Sequence, residues 1–324
     1  MKRFIGALVI AAAVSTPALA QEFKPTNPEC IAPASPGGGW DFICRTVSKL
    51  FNDLKLADSS IQVTNMTGGG GGVAYAHVVA KRNEDDNLIV AASNGTTTRL
   101  AQDAYPGNNE NDVRWLASFG AEYGVIAVAA DSEIDDLKEL VTMVKADPRS
   151  VAFAGGSAVG GYDHLKVLKL AKAAGVGDVR QIKYVAFSGG GEAMAQVLGG
   201  SIQAFTGDFS EVRGFVEAGD IRIVAVLSPK RLEGFDQFPT AIEQGYAVTG
   251  PNWRGLYVPK GMSEEAYTYW SDAVQKMVAS PEWQKIRSDA GIEPLDYFGE
   301  DVAAFVEGNV SEIRALSKEI GLIK

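Results

Sequence analysis

One unit recurs along this chain and restricts what it can become: a short apolar strand, a glycine-rich turn, and a helix. Its first copy spans Ile31, Ala32, Pro33, Ala34, Ser35, Pro36, Gly37, Gly38, Gly39, Trp40 and Asp41. A strand ends there, three glycines turn the chain, and Asp41 is placed to cap a helix through Phe42, Val47 and Leu50. Further copies start from strands at residues 61–65, 88–92, 151–154, 182–185 and 204–207. Their turns are residues 66–72, 93–98, 155–161, 186–191 and 208–210. Such repetition implies an α/β chain of parallel strands with crossover helices. In such sheets pockets form at the C-terminal ends of the strands, where these turns lie.

A helix start beneath a glycine turn offers unpaired N–H groups and the positive end of a dipole, which suits an anion. A plain βα turn over a capped helix reads equally well from one copy, and the recurrence favours the anion. The five glycines Gly68 to Gly72 are not a nucleotide P-loop, since no Gly-Lys-Ser/Thr follows. A flexible or close-packed turn accounts for them as well as ligand contact does.

Residues 1–20 read as a leader. Lys2 and Arg3 precede a mostly apolar run, and Ala18-Leu19-Ala20 is a small-residue cleavage pattern. The run is short for a transmembrane helix, so the chain is expected to be exported and cleaved near Ala20. Removing Lys2 and Arg3 takes the net charge from −10 to −12. That surface argues against nucleic acid or an anionic membrane as partner. It does not exclude a small anion held by local donors, because salt screens the distant field. Two cysteines, Cys30 and Cys44, flank the first glycine turn. In an exported protein they are expected to form a disulfide, with two buried thiols as the alternative.

The apolar runs 115–119 and 125–129 mark a first crossing between two domains. Residues 221–226 form a near-continuous apolar strand, the pattern of burial on both faces, and begin the return. A strand at 253–258 follows, and from Ser263 onward the chain reads as largely helical. Lobe 1 is accordingly expected at 21–124 and 227–324, and lobe 2 at 125–226. Two crossings make a hinge.

The segment Pro33 to Asp41 resembles the signature of the extracytoplasmic receptors of tripartite tricarboxylate transporters, the TctC or Bug family. Asn65 to Gly72 is similar to that family's Asn-x-x-Gly-x-Gly-Gly turn. Residues 184–193 resemble its second-domain loop, and Asn252-Trp253-Arg254-Gly255 its late strand. Glu29-Cys30 with Cys44 is close to the citrate-receptor branch. The resemblance covers nearly the whole chain after the leader. It implies a two-lobed periplasmic-binding-protein fold of type II, a Venus flytrap hinged between its lobes. It also implies a small carboxylate ligand held by two facing loops. One would be Ser35 with Gly37, Gly38, Gly39, Trp40 and Asp41. The other would be Gly155, Gly156 and Ser157 with Gly160. Phe187, Ser188, Gly189, Gly190, Asn94 and Asp208 would line the rest. No cofactor or metal is implied. The partners would be a small carboxylate and the permease subunits of the transporter, and the receptor is expected to be a monomer in the periplasm.

None of these turns contains Arg or Lys, so backbone N–H groups, hydroxyls and helix starts would hold a carboxylate. Asp208 is awkward beside an ionised ligand and reads either as a helix N-cap or as an acceptor for a hydroxyl, amino group or water. Trp40 reads equally as a lid or as packing behind the turn. An enzyme reading finds no support in the motifs. His77 and His164 are the only histidines, the first an ordinary helix-face residue, the second solvated or capping. There is no Gly-x-Ser-x-Gly elbow and no metal spacing. Two alternatives stay open: an exported sensing module for a signalling partner, and an aromatic acid or amino acid as ligand.

Overall fold

A computed structural model describes residues 23–324, so the expected leader at 1–20 lies outside the described residues. Every strand–turn–helix unit read from the sequence is present. β1 (Glu29–Ala32) feeds α1 (Gly39–Asp53), β2 (Gln62–Asn65) feeds α2 (Gly72–Lys81), and β3 (Leu88–Ser93) feeds α3 (Asn94–Ala101). These strands are parallel, with β1 between the other two. β4 (Val113–Ala129) and α4 (Leu137–Ala146) follow. Then β5 (Ala152–Gly155) leads to α5 (Tyr162–Ala173), β6 (Lys183–Ala186) to α6 (Gly190–Leu198), and β7 (Ala204–Asp208) to α7 (Phe209–Ala218). Here too the strands are parallel, with β5 in the middle. β8 (Ile221–Val226), β9 (Pro251–Pro259), α8 (Glu264–Ala279), α9 (Pro281–Asp289), β10 (Glu293–Phe298) and α10 (Gly299–Ile320) complete the chain.

The molecule has two lobes, and β4 belongs to both. Its first part, to Tyr123, pairs antiparallel with β9, and β10 also joins it there. From Gly124 onward it pairs antiparallel with β7 and β8. The sequence showed two apolar runs here, and the structure joins them into one 17-residue strand. Bulges at Trp115/Ala117 and Ser118/Ala121 bend it. At Gly120 the backbone has φ +150°, and a Cβ would fall 2.4 Å from Ile292 Cγ2. The late helical region is also interrupted. β10 pairs with β4 at an edge, the place where its Pro294 is tolerated.

Apolar spacing explains how α1 seats. Ile43, Val47, Leu50 and Phe51 lie on one stripe and are buried against the first sheet. Burying each such side chain stabilises by about 1.5–3 kcal/mol. Cys30 on β1 and Cys44 on α1 form a disulfide with Cα atoms 5.6 Å apart, which brackets the first glycine turn. Among the described residues no helix is long and apolar enough to cross a membrane.

Candidate functional site

The first turn is built differently from its sequence reading. α1 begins at Gly39 with Gly38 as its N-cap, so Asp41 lies inside the first turn and does not cap it. Three consecutive glycines let the chain enter the helix early. The Asp41 carboxylate instead reaches back to the Gly37 N–H at 2.9 Å and takes Arg45 Nε and Asn65 Nδ2 at 2.8 Å each. Burial works against its charge, but Arg45 and the two N–H donors hold its carboxyl below the usual range. Asp41 is thereby committed within the first lobe.

The start of α1 points at the start of α6 in the other lobe. A Cβ on Gly38 would lie 3.6 Å from Gly189 Cα, and one on Gly189 would lie 3.5 Å from Gly38 Cα. Gly189 is the N-cap of α6, and neither helix start is capped by a side chain. Two positive helix ends therefore meet, with first-turn N–H groups left for another partner. Hydrogen bonds cross the cleft around them. Ser35 N–H donates to Ser188 O at 3.2 Å. Gln102 Nε2 donates to Gly160 O at 2.7 Å, and Tyr162 Oη donates to Pro251 O.

Two spaces lie between the lobes. The larger, about 360 Å³, is walled by Trp40, Gly68 to Gly71, Arg99, Gly156, Phe187 and Ser188, among others. The smaller, about 50 Å³, is floored by Asp208, Glu211 and Arg254 beneath Gly38, Gly39 and Gly189. Trp40, Gly95, Gly156 and Ser157 border both. Trp40 is held by its Nε1, which donates to Ser93 Oγ at 2.9 Å, and its ring packs against Gly71 and Gly95. It is thus packing and wall at once.

Beneath the floor is a buried charge network that the sequence did not reveal. Lys166 is fully buried and pairs with Asp163 at 2.9 Å and Asp208 at 2.8 Å. Arg254 pairs with Glu122 at 2.6 Å and with Asp208 at 2.7 Å. Asn252 Nδ2 also donates to Asp208. Burial opposes the charge of Asp208, yet Lys166 and Arg254 keep its carboxyl low. Glu211 has the opposite fate: burial, and then the charges of Asp208 and Asp163, push it up to about 8. Asp208 is the N-cap residue of α7, the bland alternative, and its N–H donates to Glu211 Oε2 at 3.0 Å. Its carboxylate also borders the smaller space.

Several expected residues border neither space. Asn94 is a strut, its N–H donating to Asn252 Oδ1 and its Nδ2 to Pro251 O. Gly155 ends β5 where a Cβ would meet Tyr184 Oη at 2.5 Å, and Gly190 makes room for Glu211. Gly160 turns the chain at φ +79° and accepts from Gln102. Gly37 is an exposed turn residue, and Ser35 bridges to the facing loop. Conversely, Gly68 to Gly71, for which ligand contact was one of two readings, and Arg99, for which none was made, line the larger space. His164 is not solvated. It is buried and stacked on Tyr184, and its Nδ1 accepts the Gly160 N–H at 3.0 Å.

The comparisons agree with this architecture. The family model described as the tripartite tricarboxylate transporter family receptor matches residues 44–322. Protein BugT of Bordetella pertussis is 23% identical over 319 residues, covering 98% of this chain and 96% of its own. A Rhodopseudomonas palustris structure with adipate superposes with a TM-score of 0.82 at 20% identity, covering 91% of this chain and 97% of that one. MatC from the same organism, with bound malate, gives 0.78 at 19% identity over 89% and 98%. At these identities the structures establish the fold, and the family model establishes kinship. The chain is a member of the tripartite tricarboxylate transporter receptor family, a family of solute-binding receptors.

Proposed function

We propose that this protein is exported and captures a small organic carboxylate, a di- or tricarboxylate, between its lobes for delivery to the permease of a tripartite tricarboxylate transporter. One observation carries the reading: two helix starts from opposite lobes, neither capped by a side chain, meet at the smaller interlobe space, which shares Trp40, Gly95, Gly156 and Ser157 with the larger one. Such a pair leaves first-turn N–H groups that an anion placed between them can accept from. A space of about 360 Å³ suits a small metabolite. The adipate and malate in the two matched structures fit the same chemistry. In this reading Gly38, Gly39, Trp40, Gly156, Ser157, Phe187, Ser188 and Gly189 make the contacts, directly or through water. Ser35, Gly37, Asp41, Asn94, Gly155, Gly160 and Gly190 shape the loops that carry them. Asp208 belongs to the floor. The receptor acts as a monomer in the periplasm.

The test is thermal unfolding of refolded, ligand-stripped protein with carboxylates, amino acids, aromatic acids and sugars. A ligand of the folded form at 100 times its Kd adds about 2.7 kcal/mol. Stabilisation by di- or tricarboxylates alone is expected. Stabilisation by amino acids or aromatic acids alone moves the ligand class, and by sugars alone overturns the anion site. Capture of a sensor kinase in place of a permease on the closed protein overturns the transport role.

A further inference from the structure

We infer that Arg99 is the specificity-determining residue of the interlobe cavity and receives a second anionic group of the ligand, so that the receptor selects dianions over monoanions. The inference rests on the receptor reading above and names the charge pattern of the ligand. Arg99 lies on α3, half-buried, in the wall of the larger space. The two fully buried cations between the lobes are each matched by two carboxylates: Lys166 by Asp163 and Asp208, and Arg254 by Glu122 and Asp208. Arg99 has no such match among the described residues. Its Nη1 donates only to neutral acceptors, Gln102 Oε1 at 3.2 Å and, across the cleft, Val159 O at 3.3 Å. Its Nε is buried with no hydrogen-bond partner. Burial alone lowers its affinity for its proton, with no carboxylate opposing.

The acid that borders this space does not fill the gap. Glu192 is exposed, and its Oε2 accepts the Ser188 N–H at 3.3 Å. The glycine turn of residues 68–71 packs beside Arg99. A Cβ on Gly70, where φ is +63°, would stand 3.5 Å from Arg99 Cδ and Nε and 3.3 Å from Ala158 Cβ. The left-handed φ favours glycine there, and the turn packs against Arg99 at ordinary contact distance. Half-burying a cation without a counter-charge is costly, and an anion brought by the ligand removes that cost. Gly156 and Ser157 lie on the same cavity and border the chamber where the helix starts meet. One carboxylate at the helix starts and a second at Arg99 span a single ligand.

The test is calorimetric titration of the ligand-stripped chain with α,ω-dicarboxylates of graded length and the half-amide of each. The half-amide keeps the shape and one charge. The wild type is expected to prefer the best-fitting diacid by about tenfold or more. Arg99→Gln should abolish that preference and leave half-amide affinity nearly unchanged, while Arg99→Lys should retain part of it. A preference that survives Arg99→Gln overturns the inference and leaves the receptor reading standing. Equal weakening of diacid and half-amide does the same, and marks Arg99 as only a latch to Val159. Binding of neither ligand by the wild type overturns the receptor reading and this inference with it.

Discussion

A Cβ on Gly156 would fall 2.8 Å from the Gly190 nitrogen and 2.9 Å from the Gly189 carbonyl carbon. Those are backbone atoms and cannot rotate aside, so the 187–190 loop must move away from Gly38. Gly156→Val is therefore expected to weaken ligand binding tenfold or more, about 1.4 kcal/mol. Its cost in unfolding free energy should stay within the ~1–3 kcal/mol of local overpacking. Titration beside a urea melt checks this, and unchanged affinity removes Gly156 from the site. His164 supplies a pH signature. Burial lowers its pKa from 6.5 to about 4. The unfolded chain then binds more protons between those values, so its contribution is complete above pH 6.5 and lost as the pH falls through 4. The loss amounts to about 3 kcal/mol, and His164→Gln should flatten that limb of the stability–pH curve. The sequence announced the glycine turns because they punctuate each strand–helix junction. It could not announce His164 or Arg99, whose roles come from Tyr184 and Val159, residues distant in the chain. The charge network was illegible for the same reason: Lys166, Arg254 and Glu122 lie far apart in the chain and meet only where packing buries them together.

Strand–turn–helix units were legible because each carries its own periodicity and punctuation. Asp136 caps α4 by accepting the Glu139 N–H at 2.8 Å, and Ser263 caps α8, both at positions the sequence marks. β4 and β10 were harder. A 17-residue strand through two lobes departs from ordinary strand length, and its bulges break the alternation that would reveal it. β10 shows half-buried alternation only because β4 supplies its single partner. The disulfide joins these scales. It fixes the end of β1 to the second turn of α1, across a separation of 14 residues. Closing so short a loop stabilises by about 3 kcal/mol. Cys30→Ser with Cys44→Ser should lower unfolding free energy by about that amount. It should also weaken binding, because Gly38 and Gly39 lie on the turn it braces. Native thiol labelling of the wild type should find no free Cys, and labelling at both positions without denaturant would falsify the bond.

At the scale of the molecule, the proposed receptor role makes binding and closure one equilibrium. The lobes are joined through β4 and through the return from β8 to β9, and the cleft is closed by contacts that an opened hinge would break. Gln102 separates those contacts from the rest of the fold. Its Nε2 donates across the cleft to Gly160 O at 2.7 Å, and within its own lobe to Ser317 Oγ at 3.2 Å. Opening sacrifices only the first. Gln102→Leu should remove a net ~1 kcal/mol from the closed state, which is about a fivefold weaker apparent affinity. In the variant the open state loses only the in-lobe bonds to Ser317 Oγ and from Arg99 Nη1, so unfolding of the ligand-free variant should fall by no more than their worth, about 0.5–1.5 kcal/mol each. Solution scattering then provides the decisive reading. Saturating ligand should contract wild type and variant to the same radius of gyration, with the midpoint of the contraction shifted to higher ligand in the variant. If the radius does not respond to ligand, the lobes do not open in solution. Ligand would then have to enter the cleft without hinge motion.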